Sequence, residues 1–108
     1  MRNFVLLLAV SAAALFAQGQ APKNLQVLKP EDIRTAMGAA TRGLGVQCTE
    51  CHAADYSSDE KPAKLIARKM FAMTAQINAG FPDGKTHVTC YTCHRGQKEP
   101  LTAPPAAN

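Results

Sequence analysis

The sequence predicts an all-α domain, and three observations support that prediction. Two apolar stripes recur at helical spacing, alternating strand patterns are nearly absent, and one pentapeptide occurs twice. The chain has 108 residues, which is enough for one small domain. A domain of this size has too little apolar surface to build a large core unaided.

The first predicted helix begins at Pro30-Glu31-Asp32, where proline suits a first turn and the acids suit the positive end of the helix dipole. Its apolar stripe consists of Ile33, Met37, Ala40 and Leu44. Gly43 and Gly45 predict its end. Residues 20–29 have no clear periodicity, and they predict an extended lead-in that lies against the domain.

A second helix is predicted over residues 64–78, with N-cap candidates at 57–60 and a turn cluster at 80–84 that stops it. Its apolar stripe consists of Ile66, Met70, Met73 and Ile77. The basic residues Lys64, Arg68 and Lys69 lie off that stripe and predict a solvated face. Proline, alanine and threonine dominate residues 99–108, which predict a flexible tail.

The repeated pentapeptide is Cys-x-x-Cys-His, at Cys48–His52 and again at Cys90–His94. This is the attachment pattern for c-type haem. Two thiols on one helical turn can bond to the vinyl groups at one porphyrin edge, and the following imidazole can bind the iron. The pattern predicts two haem c groups, with His52 and His94 as proximal ligands. The attachment residues would be Cys48, Cys51, Cys90 and Cys93.

Three other interpretations of the four cysteines are a four-thiolate zinc site, structural disulfides and a thioredoxin-like redox motif. Zinc does not require a histidine directly after each cysteine pair. The interval from Cys51 to Cys90 is also longer than in most zinc ribbons. Because the chain has only 3 histidines, a histidine after both pairs favours haem attachment.

Residues 1–19 have the pattern of an export signal. Arg2 supplies a positive start, Phe4–Phe16 is an apolar run, and Ala17-Gln18-Gly19 offers a cleavage site. The run is shorter than the roughly 20 apolar residues that span a bilayer; an uncleaved N-terminal anchor is the alternative. The expected location is periplasmic or otherwise exported, with the mature domain over residues 20–98. Haem attachment to thiols takes place on the exported side.

The charge of the mature chain gives little information about partners. The signal holds one of the 12 basic residues and none of the 8 acidic ones, which leaves a net charge of +3. Four haem propionates would offset this excess, and no basic run exceeds two residues. We expect redox protein partners, with a membrane-bound electron-transport complex and contact with the membrane surface left open. No nucleic acid or small-molecule substrate is expected.

The mature chain offers three methionines and a spare histidine, His87, as distal iron ligands. A methionine on a helical stripe usually packs in a core, but its thioether is also a soft haem ligand. Met37 is the candidate for the first haem, and Met70 or Met73 for the second. His87 lies three residues before Cys90, so ligation would need a tight loop. A surface or propionate-bonding role is the simpler interpretation of His87.

Four segments resemble the cytochrome subunit of photosynthetic reaction centres and its short exported c-type relatives. They are residues 22–28, 43–52, 67–78 and 88–97, the last being the most specific, so the resemblance covers nearly the whole mature chain to Gln97. The resemblance implies two units, each with a helix that carries an axial methionine, a turn, and a second helix that bears Cys-x-x-Cys-His.

The ligands that the resemblance implies are Met37 with His52, and Met73 with His94. Met70 would then be a neighbour in the core and ranks second to Met73. The chain has two haem motifs where the reaction-centre subunit typically has four.

A haem with both axial positions filled has no open site for a substrate, so the sequence predicts an electron-transfer protein. One alternative is a haem enzyme, peroxidase- or reductase-like, with one open iron site; the chain shows no His–Arg–acid cluster to serve it. Another is a structural or assembly module of a larger redox complex. Arg42, Lys69 and Arg95 are candidates to pair with propionates.

Overall fold

A computed structural model describes residues 21–107, and the regular structure in that range is helical throughout. The helices are α1 (Ile33–Leu44), α2 (Pro62–Ala79) and α3 (Cys90–His94), with 3-10 turns at Pro30–Asp32 and Cys48–Glu50. The all-α prediction is confirmed. The signal predicted at residues 1–19 falls outside the described residues. Between residues 21 and 107 no helix is long and apolar enough to cross a membrane.

Helix α1 follows directly from the Pro30–Asp32 turn, as predicted. Gly45 ends it in the left-handed conformation, with φ of 65°, and its N–H donates to the carbonyl of Thr41. Gly43 was also expected to end this helix, and that prediction is wrong. It lies inside the last turn and is buried, because α3 crosses α1 at this point.

The crossing of α1 and α3 depends on the missing side chain of Gly43. A Cβ there would lie 2.7 Å from the Cβ of Cys90 and 2.9 Å from the backbone nitrogen of Tyr91. The N–H of Gly96 donates to the carbonyl of Gly43 at 2.7 Å. Helix α1 therefore supports helix α3 directly.

Helix α2 begins at Pro62, and its N-cap residue, Lys61, makes no capping hydrogen bond through its side chain. The cap predicted at residues 57–60 does not form. Asp59 instead pairs with Lys64 at 3.3 Å and Arg68 at 3.0 Å. The prediction of a solvated face is wrong for these two cations, because the preceding loop folds back over the first turns of α2. Lys69 is exposed, as predicted.

The lead-in packs against the domain, as predicted, and Asn24 is the residue that holds it. Its side-chain amide donates to the carbonyl of Ser57 at 2.7 Å and to the carboxylate of Asp59 at 2.9 Å. Its own carbonyl accepts from Arg68 at 3.0 Å. Asn24 has φ of 62°, a left-handed conformation that asparagine tolerates better than most residues.

The far end of α2 is joined to the start of α3 through Asn78. The side-chain oxygen of Asn78 accepts from the N–H groups of His87 and Val88, both at 2.9 Å, and its amide donates to the carbonyl of Val88 at 2.8 Å. Thr89 then caps α3 through a reciprocal pairing with Thr92. These bonds fix where the second motif begins.

Among residues 21–107 no apolar side chain is fully buried. The apolar stripes of α1 and α2, apart from Ile77, instead line a cleft of about 860 Å³ that the two pentapeptide motifs also line. Residues 101–107 are exposed and have no helix or strand. The flexibility expected of residues 99–108 stays a prediction.

Candidate functional site

The first motif is a tight turn on the cleft. Cys48–Glu50 form a 3-10 turn, and the N–H of His52 donates to the carbonyl of Cys48 at 2.9 Å. Burial raises the pKa of the Cys51 thiol, and the carboxylate of Glu50 raises it further. Glu50 in turn pairs with Lys98, which lies beyond the second motif. That ion pair lowers the pKa of Glu50 and links the two motifs across the chain.

The second motif is the short helix α3 itself, as the spacing of its cysteines suggests. Cys90 lies half-buried against Gly43 of α1, and burial raises the pKa of its thiol. Arg95 ends α3 in the left-handed conformation, with φ of 53°. All four motif cysteines line the cleft.

Both motif histidines are oriented by a backbone carbonyl a few residues downstream. His52 Nδ1 lies 3.1 Å from the carbonyl oxygen of Tyr56, and His94 Nδ1 lies 3.0 Å from that of Gln97. A carbonyl oxygen only accepts, so Nδ1 carries the proton and Nε2 retains the lone pair that binds a metal. The Tyr56 ring also stacks on the His52 ring, with centroids 4.6 Å apart. Sequence reasoning did not find these carbonyl partners.

All three candidate distal methionines line the same cleft. Met37 comes from α1, while Met70 and Met73 come from α2 and are 40% and 45% exposed. Thr41 donates its hydroxyl to the carbonyl of Met37 at 3.0 Å, and Thr74 donates to that of Met70 at 2.8 Å. The geometry therefore leaves both Met70 and Met73 available to a second iron.

The donor set and the walls of the cleft fit haem c. Two thiol pairs, two imidazoles with a free Nε2 and three thioethers surround one apolar cleft, and its volume lies in the range of roughly 300–1,000 Å³ that is usual for ligand pockets. A four-thiolate site does not fit. In the described part of the chain no three residues among His, Cys, Asp and Glu gather closely enough to hold a metal ion.

The cations on the cleft differ from those that the sequence suggested for propionates. Lys23, Lys64, Arg68 and Lys98 line the cleft, whereas Arg42, Lys69 and Arg95 are not among its lining residues. Sequence reasoning missed the first group, because the lead-in, the loop before α2 and the segment after α3 bring those cations to the cleft.

His87 lies apart from the cleft. Its Nε2 contacts the carboxylate of Asp83 at 2.8 Å, and its ring stacks on Phe81 with centroids 4.1 Å apart. This arrangement agrees with the simpler interpretation of His87 as a surface residue.

Comparison with known proteins identifies the family. The family model of the photosynthetic reaction centre cytochrome C subunit matches residues 11–103. The chain belongs to this family. No solved structure matches it significantly. The match to the family model confirms the resemblance drawn from the four sequence segments.

The curated relatives include members of this cytochrome family from several bacteria. The chain is 40% identical to the photosynthetic reaction center cytochrome c subunit of Rubrivivax gelatinosus over 49% of its own length and 15% of the relative. It is 35% identical to the same subunit of Thermochromatium tepidum, over 75% of its own length and 22% of the relative. It is 38% identical to cytochrome c-554 of Chloroflexus aurantiacus, over 66% of its own length and 20% of the relative. The chain thus spans a quarter or less of the length of the curated relatives it matches.

Proposed function

We propose that this chain is an exported dihaem c-type cytochrome that passes single electrons between redox partners. The observation that carries the proposal is the meeting of both Cys-x-x-Cys-His motifs on one apolar cleft, each with its histidine held by a carbonyl. Membership of a cytochrome c family supports covalent haem c and a role in electron transfer.

Different residues of the chain would attach the haems covalently and bind their irons. Cys48 and Cys51 would form the thioether bonds of one haem, and Cys90 and Cys93 those of the other. His52 and His94 would present Nε2 to the irons, because their Nδ1–H groups are already bonded to carbonyls. When bound, each haem supplies a reversible one-electron change at its iron.

Methionines would complete the coordination: Met37 opposite His52, and Met73 opposite His94, with Met70 ranked second. All three line the cleft on helices that face the motifs. With both axial positions filled by protein, neither iron would offer a site to a substrate. The chain would then act as a carrier that performs no bond-making chemistry.

The partners proposed are redox proteins, among them a membrane-bound electron-transport complex. The relatives named as reaction center subunits support this class of partner. The sequence of residues 1–19 supports export before haem attachment.

A redox titration of the exported protein, expressed with a haem-attachment system, tests the proposal. Mass spectrometry and the pyridine haemochrome spectrum should give two covalent haems per chain. EPR should show two low-spin irons, and the reduced protein should not bind carbon monoxide readily at neutral pH. One haem per chain, or rapid carbon monoxide binding by the unmodified protein, would contradict the six-coordinate dihaem carrier.

The control is the pair of substitutions Cys90→Ala and Cys93→Ala made together. Removing one motif should leave a single haem, attached at the other motif. Retention of two haems in this variant would show that the motifs do not each hold one.

A further inference from the structure

The carbonyl of Tyr56 serves two donors at once. It accepts from Nδ1–H of His52 at 3.1 Å and from Nζ of Lys64 at 2.8 Å. Lys64 also donates to the carbonyl of Ser58 at 2.8 Å and pairs with Asp59. With 9% of its surface exposed, Lys64 is the buried charged residue of residues 21–107. The ammonium is therefore held against the carbonyl that orients the first histidine.

The second histidine lacks this arrangement. His94 Nδ1 meets the carbonyl of Gln97 at 3.0 Å, and within the described chain no side chain other than that of His94 donates to this oxygen. The two sites thus share one orienting device, and only at His52 does a cation share the carbonyl acceptor. His52 also has the stacked Tyr56 ring, which Lys64 substitution leaves in place.

The difference has an electronic consequence. A carbonyl oxygen has two lone pairs and can accept two hydrogen bonds, but an ammonium that draws electron density from the oxygen makes it a weaker acceptor for the second donor. A strong bond at Nδ1 makes an imidazole a more basic ligand through Nε2. His52 should therefore donate less electron density to its iron than His94 does.

We infer that Lys64 is a positioning residue that raises the reduction potential of the haem at His52 relative to the haem at His94. It acts through the shared Tyr56 carbonyl and does not touch the iron ligand. The inference rests on the proposed function, since it concerns two haems with histidine ligands. Its consequence is a bias in how one electron divides between the two sites.

The test replaces Lys64 with methionine and measures both histidines in the reduced protein. In Lys64→Met the proton NMR signal of His52 Nδ1–H should move downfield, because its bond to Tyr56 strengthens, while the His94 signal stays in place. The electron should shift toward the second haem by up to about tenfold, which corresponds to ~59 mV for a one-electron couple. The control is Lys69→Met, an exposed lysine on the same helix, which should change neither signal.

The double variant Asp59→Asn with Lys64→Met distinguishes the loss of the Lys64 hydrogen bond from a general effect of charge. It removes one positive and one negative charge, so the net charge does not change. The His52 signal should remain displaced in it. Any of three results would overturn the inference. The first is a fall in the potential of the haem at His52 without displacement of the His52 proton signal, and the second is equal displacement of the signals of both histidines. The third is a His52 signal that returns to its original position in the double variant.

A second variant covers a failure of Lys64→Met to fold. Lys64→Gln keeps a neutral donor and should displace the His52 signal in the same direction by a smaller amount; an unmoved signal in this variant would also overturn the inference. Haem counts and EPR spectra of the unmodified protein are measured first. A wrong haem count or ligand set rejects the proposed function, whereas intact dihaem spectra with an unmoved His52 proton reject only the role of Lys64.

Discussion

Each of the two histidines proposed to bind iron is oriented by a residue just outside its pentapeptide. Tyr56 and Gln97 contribute their backbone carbonyls to His52 and His94, and Tyr56 adds a ring that stacks on His52. The functional unit at the residue scale is therefore longer than Cys-x-x-Cys-His. It extends three or four residues past the histidine, to the carbonyl that fixes the protonated nitrogen.

Substitution of the two α2 methionines decides which one binds iron. In Met73→Ala, one haem should lose a ligand, so the reduced protein should bind carbon monoxide at half of its haems. Met70→Ala is the matched variant on the same helix face and should leave both haems six-coordinate. Absorption spectra under carbon monoxide measure the difference. Carbon monoxide binding in Met70→Ala alone would assign the ligand to Met70 instead.

The ion pairs of Asp59 give the protein a specific sensitivity to acid. Hydrogen bonds from Arg68 and then from Asn24 lower the pKa of Asp59 from 3.8 to about 2. A lowered carboxyl pKa stabilises the folded state above the unfolded pKa, and this stabilisation is lost as the pH falls from 3.8 toward 2. Acid unfolding followed by circular dichroism should be less steep in this window for Asp59→Asn.

The control for acid sensitivity is Glu60→Gln, because Glu60 is an exposed neighbour of Asp59. This variant should retain the steeper transition of the unmodified protein. Equal transitions for Asp59→Asn and the unmodified protein would show that the contacts of Asp59 contribute nothing to stability.

At the scale of elements, the crossing of α1 and α3 is the most extensive helix contact of the described chain. It places the helix that carries Met37 against the helix that carries the second motif. The contact requires a residue without a side chain at position 43, since the Cβ of Cys90 occupies the space. Helix α2 reaches the other two helices mainly through the loops at its two ends.

A methyl group at the crossing tests this contact. Gly43→Ala should lower the free energy of unfolding by about 1–3 kcal/mol, the usual cost of overpacking, because α1 and α3 must separate. Guanidinium unfolding of the holoprotein measures the change. The matched control is Gly38→Ala in the same helix, where a Cβ would meet only the mobile end of the Arg42 side chain.

Gly38→Ala should be neutral or stabilising by up to about 1 kcal/mol, since alanine favours a helix interior over glycine. Equal effects of the two substitutions would contradict a special role for the crossing.

At the scale of the whole molecule, the described chain has helices but no buried apolar side chain. Its apolar stripes face a cleft that carries the thiol, imidazole and thioether groups needed to hold haem c. A chain of this size without a core of its own should depend on its prosthetic groups for stability, because binding to the folded state alone stabilises that state.

Removal of both attachment sites tests this dependence. The variant in which Cys48, Cys51, Cys90 and Cys93 are all alanine should lose cooperative unfolding and most of its helical circular dichroism. The holoprotein should unfold cooperatively under the same conditions. Cooperative unfolding of the haem-free variant at a similar denaturant concentration would contradict the expectation.

The elements could be predicted from the sequence, but their contacts could not. The Pro30 start, the Gly45 end and the turn at residues 80–84 follow from local backbone preferences, so they were predictable. The crossing at Gly43 was not, because two glycines near a helix end look alike until the partner helix is known. The prediction of the haem motifs themselves depended on the spacing of the cysteines and on the histidine that follows each pair.

The contacts of Lys64 and His52 were hidden for a related reason. A lysine off the apolar stripe is normally solvated, and only the loop conformation brings Asp59 and two carbonyls to this one. The carbonyl partners of the histidines come from backbone, which leaves no mark on side-chain types. Sequence therefore identified the candidate ligands and missed the groups that surround them.

The contact of α1 with α3 also determines when folding of the chain can be completed. Helix α1 is synthesised before α2 and α3, so the surface that completes it is made after both intervening segments. Although the sequence has two tandem copies of the motif, helix α1 before the first copy packs against helix α3 of the second copy. A chain cut between the copies would therefore separate a helix from its support.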